Sequence, residues 1–328
     1  MEKDKNKKEA KKLSTKAKRT LLKTFQCALT QIRVFQDAYD LKDDDVLKPI
    51  AQCSGGVLGK GSSCGVVFSG ALSLAMLMDS KLSEWKTEDE VKLHALIEDY
   101  INWWHEKYGT TLCRERVKLN LWKRRGVMGL LLPQKFYRCL SHTSKAMKHL
   151  YSIKDTLPKI DSSQFSGFSN SFHCARTVFE EVRKSTSVGS PRLERISVAL
   201  DGGIGLQGGA CGAIAGAIMA ISLHSGVNYM ESGMLKNMRA FYKSSKRLRK
   251  MKPSDSNDVF VGGRKIIEGF LERTGTLECK DITNTTFNNW KEFQQFGASS
   301  EECKELINFC AKEAINFISN SESENTTK

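Results

Sequence analysis

Apolar residues recur at three- and four-residue spacing along most of the chain. Two clear series are Leu21, Leu22, Phe25, Leu29, Ile32 and Phe35, and Ile307, Phe309, Ala311, Ala314 and Phe317. This spacing places the apolar side chains on one face of an α-helix. Neither half shows the alternation of apolar and polar residues that marks a half-buried strand. The pattern therefore predicts an all-α fold.

Two glycine-rich segments interrupt the helical pattern, at residues 55–63 and 202–209. Each opens onto an apolar stretch. The second stretch is rich in small residues: Gly212, Ala213, Ala215, Gly216, Ala217 and Ala220. Small side chains allow close packing, so we expect a buried central helix after each glycine loop. Asp43-Asp44-Asp45 and Ser190-Pro191 are predicted to start the helices that precede these loops.

The first two cysteines of each half reveal an internal repeat. Cys27 and Cys64 are 37 residues apart, as are Cys174 and Cys211. At the same offset of 147 residues, Gly55-Gly56 falls on Gly202-Gly203. Self-similarity at a fixed offset is typical of a duplicated structural unit. The chain is therefore predicted to be two tandem copies of one helical module.

Two further cysteines follow in each half in the same order. Cys113 corresponds to Cys279, and Cys139 corresponds to Cys303. Cys53 and Cys310 have no counterpart, and we interpret them as core or near-site thiols. The second half has 19 more residues between its second and third cysteines. This length difference predicts an insertion near 235–253, as a surface helix or loop.

These features divide the chain into two modules, predicted at 16–153 and 171–319. The serine-rich segment 154–170 is predicted to be a linker. The basic residues 1–15 and the polar residues 320–328 are predicted to be disordered tails.

The net charge of +14 is concentrated in two stretches. Residues 1–24 carry ten Lys/Arg and three acidic residues, and residues 236–252 carry eight Lys/Arg and no acid. Such stretches either solubilise a protein or attract an acidic protein, nucleic acid or an anionic membrane. No apolar run is long enough to span a bilayer, and the polar N-terminus does not resemble a secretory signal. We therefore expect a cytoplasmic protein with reduced thiols.

The cysteine quartets are the candidate chemistry. Four thiolates can hold an iron–sulfur cluster or zinc, they can cycle to disulfides, or they can be buried core residues. The scattered spacing contains no close Cys-x-x-Cys pair of the kind found in zinc knuckles or thioredoxins. Cys211 is expected at the first turn of a helix, where free N–H groups favour a thiolate. The candidate cofactor-binding glycines are Gly202, Gly203, Gly205, Gly212 and Gly216.

Other chemistry has little support in the sequence. His173 adjoins Cys174 but Gln26 occupies the matching position, so we interpret His173 as structural. Asp201 has no evident acid or base partner. Residues 203–208 fit a dinucleotide-binding string but lack the flanking strands, and we reject that interpretation.

The second half resembles the C_GCAxxG_C_C family, described as redox-active proteins. Cys211-Gly212-Ala213-Ile214-Ala215-Gly216 matches the family motif and follows the expected glycine loop. In the first half the segment is Cys64-Gly65-Val66-Val67-Phe68-Ser69, so the first module is a diverged copy. The family in turn is similar to the iron–sulfur domain of split-Soret cytochrome c. That resemblance implies a [2Fe–2S] cluster on four cysteines, and no haem, because Cys-x-x-Cys-His is lacking here.

The resemblance implies metal ligands in both modules. They are Cys174, Cys211, Cys279 and Cys303 in the second and Cys27, Cys64, Cys113 and Cys139 in the first. We expect an electron-transfer protein rather than a stand-alone enzyme, with an unidentified, acidic redox partner. The alternatives are a basic scaffold whose cysteines are structural or bind zinc, and a thiol/disulfide oxidoreductase. We also expect the modules to pack as a pseudo-symmetric pair.

Overall fold

The computed structural model describes residues 2–130, 132–153, 171–249 and 258–326. Its regular secondary structure is helical over these ranges, which confirms the all-α prediction. The predicted linker at 154–170 lies outside the described residues.

The first half contains eight α-helices among its described residues. They are α1 (Glu2–Thr24), α2 (Cys27–Tyr39), α3 (Asp44–Ile50), α4 (Gly65–Asp79), α5 (Thr87–Tyr108), α6 (Cys113–Val117), α7 (Arg124–Leu130) and α8 (Pro133–Ile153). A 3-10 turn at Ala51–Cys53 follows α3 and leads into the first glycine loop. Asp43 caps α3 by accepting from the backbone N–H groups of Asp45 and Val46. The predicted helix start is therefore confirmed.

The second half repeats this order. Its helices are α9 (Ala175–Thr186), α10 (Pro191–Ser197), α11 (Gly212–Ser225), α12 (Met234–Arg249), α13 (Val259–Thr274), α14 (Cys279–Thr283), α15 (Trp290–Ser299) and α16 (Glu301–Thr326). Ser190 caps α10 and Pro191 is its first residue, as predicted. Helix α12 has no equivalent in the first half and covers most of the predicted insertion.

Helices α4 and α11 occupy the centre of the molecule. Every residue of α4 is buried, and so is α11 from Gly212 to Ser222. An apolar helix with no polar face gains most of its stability from burial on all sides. The prediction of a central helix after each glycine loop is thus confirmed. None of the described helices has the length and hydropathy that crossing a membrane requires.

The two ends of the chain differ from the predicted disordered tails. Helix α1 includes residues 2–15 and packs against α8, because Ala10, Leu13 and Ala17 form a buried stripe at helical spacing. The Ser14 hydroxyl lies 2.6 Å from that of Ser144 in α8. Helix α16 likewise continues to Thr326. The lysines on the outer face of α1 concealed this short apolar stripe in the sequence.

The two modules contact each other through matching elements. Helix α3 packs against α11, and α10 packs against α4. The Lys48 ammonium donates to the carbonyl of His224 near the end of α11 (3.1 Å). At the position equivalent to Lys48, Arg195 donates to Asp79 at the end of α4 (2.9 Å). Each module therefore places a cation at the C-terminal end of the other's central helix, where the helix dipole is favourable.

In a second pair of equivalent contacts, a large residue of the first module packs on a glycine of the second. Leu58 of the first glycine loop packs on Gly263 of α13, where a built Cβ would lie 2.9 Å from the leucine Cδ2. At the equivalent positions, Gly205 of the second loop packs on Ile97 of α5, again too closely for a side chain. Each large residue thus fits against a glycine, and neither contact tolerates two large residues.

We predict that Gly205→Ala destabilises the protein more than Gly275→Ala does. Both glycines have positive φ, at +60° and +69°. A Cβ at Gly275 meets open space, whereas one at Gly205 overlaps Ile97. We therefore expect Gly275→Ala to lower the free energy of unfolding by about 1 kcal/mol. Overpacking should remove a further ~1–3 kcal/mol in Gly205→Ala. Urea unfolding measures both, and equal losses would show that this contact between modules is loose.

Candidate functional site

The second-module cysteines come from four separate segments and meet at one cavity. Cys174 precedes α9, Cys211 precedes α11, Cys279 begins α14 and Cys303 lies in the first turn of α16. All four line a cavity of about 20 Å³. Its other walls are largely apolar and include Phe287, Phe293 and Phe296, the last two from α15. The structure therefore brings the predicted ligands together.

The first-module cysteines form an equivalent arrangement around a larger cavity. Cys27 begins α2, Cys64 precedes α4, Cys113 begins α6 and Cys139 lies in α8. They line a cavity of about 100 Å³. The first module thus keeps all four cysteines although its motif in α4 has diverged, and the residues around the cysteines differ from those in the second module.

Backbone hydrogen bonds fix the second and third cysteines of each module. The Cys211 N–H donates to Leu277 O (2.8 Å), and the Cys279 N–H donates to Gly209 O (2.6 Å). In the first module the matching bonds run from Cys64 N–H to Thr111 O (2.7 Å) and from Cys113 N–H to Ser62 O (2.8 Å). Each pair forms a short antiparallel bridge between the glycine loop and the segment before the third cysteine. This bridge brings two quartet cysteines together across a long sequence gap.

The residue after the second cysteine must be glycine because the first cysteine packs directly against it. A Cβ at Gly65 would lie 2.8 Å from the Cys27 sulfur, and one at Gly212 would lie 2.9 Å from Cys174 Cβ. Gly203, with φ at +79°, would carry its Cβ 2.7 Å from Cys279 Cβ. These glycines let the backbone approach the cysteines closely.

The remaining predicted cofactor-binding glycines pack against protein. Gly202 faces Leu206, Gly205 faces Ile97, and Gly216 faces Ala175 of α9. Among the described residues, none of the three lines the second-module cavity. Their contacts serve the loop and the helix packing.

Burial controls the protonation of the cysteines. It raises the pKa of Cys64 and of Cys211 to about 12. Backbone N–H groups at the start of the following helix, including those of Val66 and Ala213, act in the opposite direction. The hydrogen bonds at the helix terminus favour the Cys211 thiolate, as expected, but desolvation outweighs them and the pKa is raised overall.

The two cysteines outside the repeat lie behind the quartets. Cys53 and Cys310 are fully buried and line neither cavity. Burial raises the pKa of both thiols well above the ordinary value. Both are close enough to a quartet cysteine, Cys27 and Cys211 respectively, to interact with its charge. Their position fits the interpretation of both as core or near-site thiols.

A buried ionic cluster that we did not predict from the sequence adjoins Cys174. His173 Nδ1 lies 2.7 Å from Asp201 Oδ2, and His173 Nε2 lies 3.4 Å from Glu90 Oε1 of α5. The other Asp201 oxygen accepts from the Cys174 N–H (2.9 Å). Burial lowers the pKa of His173, but the two carboxylates outweigh it and raise the pKa to about 9. The cluster links the first cysteine of one module to the other module.

This cluster corrects the interpretation of Asp201 as a residue without an acid or base partner. The signals in the sequence were adjacency of His173 to Cys174 and of Asp201 to the glycine loop. The contact of Glu90 with His173 could not be predicted, because Glu90 lies in the other half of the chain. In the first module, Ser54 occupies the Asp201 position and accepts from the Ala28 N–H (3.2 Å).

A cation lies beside the first-module quartet. Arg116 lines the cavity, and its Nη2 is 2.8 Å from Nε2 of His142. Burial, and then the charge of Arg116, lower the pKa of His142 to about 3, so this imidazole is neutral. A neutral Nε2 accepts from the guanidinium. The first quartet thus has a fixed positive charge next to it.

The family comparison agrees with the duplicated site. The model of the family "Putative redox-active protein (C_GCAxxG_C_C)" matches residues 25–153 and again residues 172–317. The chain belongs to this family. Both matches span a complete quartet, so the tandem duplication predicted from the cysteines is confirmed. No curated protein and no solved structure matches the chain.

We predict that Asp201→Ala is severely destabilising and Asp201→Asn is less so. Alanine leaves the buried His173 charge with Glu90 alone, which we expect to cost about 3–5 kcal/mol. Asparagine keeps an acceptor for the Cys174 N–H and should cost ~1–3 kcal/mol. Chemical denaturation followed by circular dichroism measures the difference, with the exposed Asp99→Ala as the control. Equal losses in the two Asp201 variants would contradict the assigned role.

Proposed function

We propose that the protein carries electrons on two iron–sulfur clusters of [2Fe–2S] type, one on each cysteine quartet. The observation that carries this proposal is the pair of cavities, each lined by four cysteines from four separate segments. Four thiolates are the usual ligands of a [2Fe–2S] cluster. A bound cluster would supply a one-electron carrier that no amino-acid side chain of the quartets provides.

Zinc on the same cysteines is the first alternative. A zinc ion needs four ligands about 2.0–2.3 Å from one point. In the described part of the chain, no three Cys, His, Asp or Glu side chains converge to that spacing. The cysteines instead surround a volume, about 100 Å³ in the first module. A cluster of several atoms needs more space than a single ion, so the larger first-module volume supports iron–sulfur over zinc there.

Thiol/disulfide chemistry is the second alternative. A reactive thiol needs a lowered pKa and access to solvent. Five of the eight quartet thiols are buried and the other three are half-buried, and burial raises the pKa of all eight. Such thiols are poor nucleophiles but become thiolates when they bind metal. This contrast favours ligation over disulfide cycling. Reduced, ligated cysteines also suit the cytoplasm, and that location is part of the proposal.

The chain itself would stabilise the ligands in two ways. Backbone N–H groups of Val66 and Val67 point to the Cys64 sulfur, and those of Ala213 and Ile214 point to the Cys211 sulfur. Hydrogen bonds to cysteine sulfur raise the reduction potential of a bound cluster. The largely apolar wall around the second quartet would limit the contact of its cysteines with water.

Anaerobic purification, with iron and sulfide analysis, tests the proposal. We expect a coloured protein with about four irons and four sulfides per chain, following two [2Fe–2S] clusters. Cys211→Ser and Cys64→Ser should each lose about half of the iron, because each disrupts one quartet. Cys310→Ser is the matched control, since this buried thiol lines neither cavity. An iron-free protein, or equal iron in all variants, would contradict the proposal; zinc in place of iron would support the first alternative.

We also propose that the redox partner is acidic and docks at a basic groove between α1, α5 and α8. The groove has a volume of about 720 Å³ and is lined by Lys7, Lys107, Lys145 and Lys148. No ion pair involves these lysines among the described residues. Clefts lined by one sign of charge attract partners of the other sign.

An aromatic series supports this position for the partner. Trp103 lines the groove and lies 6.0 Å from Tyr108, and Tyr108 lies 4.4 Å from His142, measured between ring centroids. His142 lines the first-module cavity. Closely spaced side chains therefore connect the groove to the first quartet.

We predict that the double variant Lys145→Glu/Lys148→Glu slows oxidation of the reduced protein by ferricyanide. Ferricyanide serves as a small anionic acceptor, and charge reversal should lower its rate about tenfold at low salt. The difference should shrink at ~1 M salt, where charges are screened within about 3 Å. Stopped-flow absorption measures the rates, with the exposed pair Lys291→Glu/Lys312→Glu as control. Equal slowing in both double variants would exclude the groove as the entry site.

A further inference from the structure

The insertion helix α12 presents a stripe of exposed apolar side chains. Four large residues recur there at three- and four-residue spacing: Met234, Leu235, Met238 and Tyr242. This spacing places them on one side of the helix. Each is between 42% and 62% exposed, and none of them lines the two quartet cavities or the basic groove. The stripe therefore projects into solvent.

The other large apolar residues that are exposed in the described chain lie on α12's neighbours. They are Leu22 of α1, Val227 before α12, and Met128, Leu132 and Tyr137 where α7 meets α8. Helix α12 packs against α1 and α7, and α7 packs against α8. Single exposed apolar residues are usually scattered over a protein, whereas their concentration on neighbouring elements marks an interaction surface.

The charge around the stripe is almost entirely positive. Helices α7, α8 and α12 contain no Asp or Glu, and α12 alone carries six Lys/Arg. Arg239 and Lys246 are exposed and follow two stripe residues by four positions, so they lie beside the stripe. Arg247 is the cation of α12 that pairs with an acid, Asp258. The apolar stripe is thus bordered by cations along the same helix.

Buried contacts hold α12 in this orientation. Asn237 is 1% exposed and donates to the carbonyls of Lys23 and Tyr229 at 2.9 and 2.8 Å. Phe241 lies against Phe25, with the ring centroids 6.5 Å apart. Because these contacts fix the rotation of the helix, the stripe stays on the outside.

This combination of charge and apolar surface favours one kind of partner. A second copy of the chain would place cations against cations. Nucleic acid would pair with the cations but leave leucine and methionine in water, since these side chains do not stack on bases. An acidic protein would need an apolar groove shaped to the stripe. An anionic membrane offers phosphates to the cations and hydrocarbon to the stripe, and a fluid bilayer needs no complementary shape.

We propose that the protein docks on the surface of an anionic membrane through α12. The apolar stripe enters the boundary between headgroups and acyl chains, and Arg239 and Lys246 contact lipid phosphates. The buried face of the same helix contributes Phe241, Ser244 and Ser245 to the wall of the first-module cavity. The docking helix is therefore also one wall around the first quartet. The proposal does not depend on what the quartets bind.

Co-sedimentation of the full chain with lipid vesicles tests the proposal. One set of vesicles contains phosphatidylcholine and phosphatidylserine, and the other contains phosphatidylcholine alone. We expect the anionic vesicles to bind the protein at least about tenfold more tightly, because each Lys or Arg near an anionic surface adds to the attraction. Equal affinity for both sets, or no binding to the anionic set, would overturn the proposal.

Two double variants separate the contributions of the stripe and of the charge. Leu235→Ser/Met238→Ser removes apolar surface at constant charge and should weaken binding to the anionic vesicles at least about tenfold. Lys243→Gln/Lys246→Gln removes two exposed cations and should also weaken it about tenfold. Lys291→Gln/Lys312→Gln, on α15 and α16, removes the same charge elsewhere and should leave the affinity unchanged. Circular dichroism verifies that all variants fold.

Three outcomes would assign the stripe to another partner. Full affinity of Leu235→Ser/Met238→Ser for the anionic vesicles would leave charge as the whole attraction and overturn docking through the stripe. Duplex DNA and polyglutamate are anions without a hydrocarbon phase, and an equal loss of affinity for either in this variant would overturn the membrane as partner. A dimer in sedimentation velocity that this variant dissociates would identify a second copy of the chain instead.

Discussion

The structure depends on two sets of four thiols, each thiol buried or half-buried, and each set gathered around one cavity. A buried thiol resists ionisation, and four neighbouring thiolates repel one another, so the quartet becomes a favourable arrangement of charge only around a cation or a cluster. The pKa of Cys64 and of Cys211, at about 12, expresses this constraint. Helix termini, glycine contacts and backbone bridges all position the sulfurs. These features do not by themselves ionise the thiols.

The positioning follows from short-range rules that act over long sequence distances. A pair of backbone hydrogen bonds joins each glycine loop to the segment before the third cysteine, and a glycine after the second cysteine makes room for the first. Both devices occur at equivalent positions in the two modules. The modules then fit together through exchanged large and small residues, Leu58 on Gly263 and Ile97 on Gly205. Equivalent positions of the two modules therefore form both contacts, each between the glycine loop of one module and a helix of the other.

The helical fold, the duplication and both quartets could be predicted because their signals are local: apolar spacing, glycine loops and cysteine order. Three features could not. The apolar stripe of α1 is too short to stand out among lysines. Glu90 reaches His173 from the other module, and no sequence pattern links them. Helix α12 was recognised as an insertion, but its Phe241 faces a cavity of the first module, and only the three-dimensional arrangement reveals that contact.

The central claim is that each module holds one cluster on its four cysteines. Native mass spectrometry of the anaerobically purified chain tests it most directly, because it counts bound groups on an intact molecule. The account predicts a main species whose mass exceeds that of the polypeptide by two [2Fe–2S] clusters, and a minor species that has lost one. A mass equal to the bare polypeptide, with all ten cysteines alkylated by a thiol reagent under denaturing conditions, would contradict it.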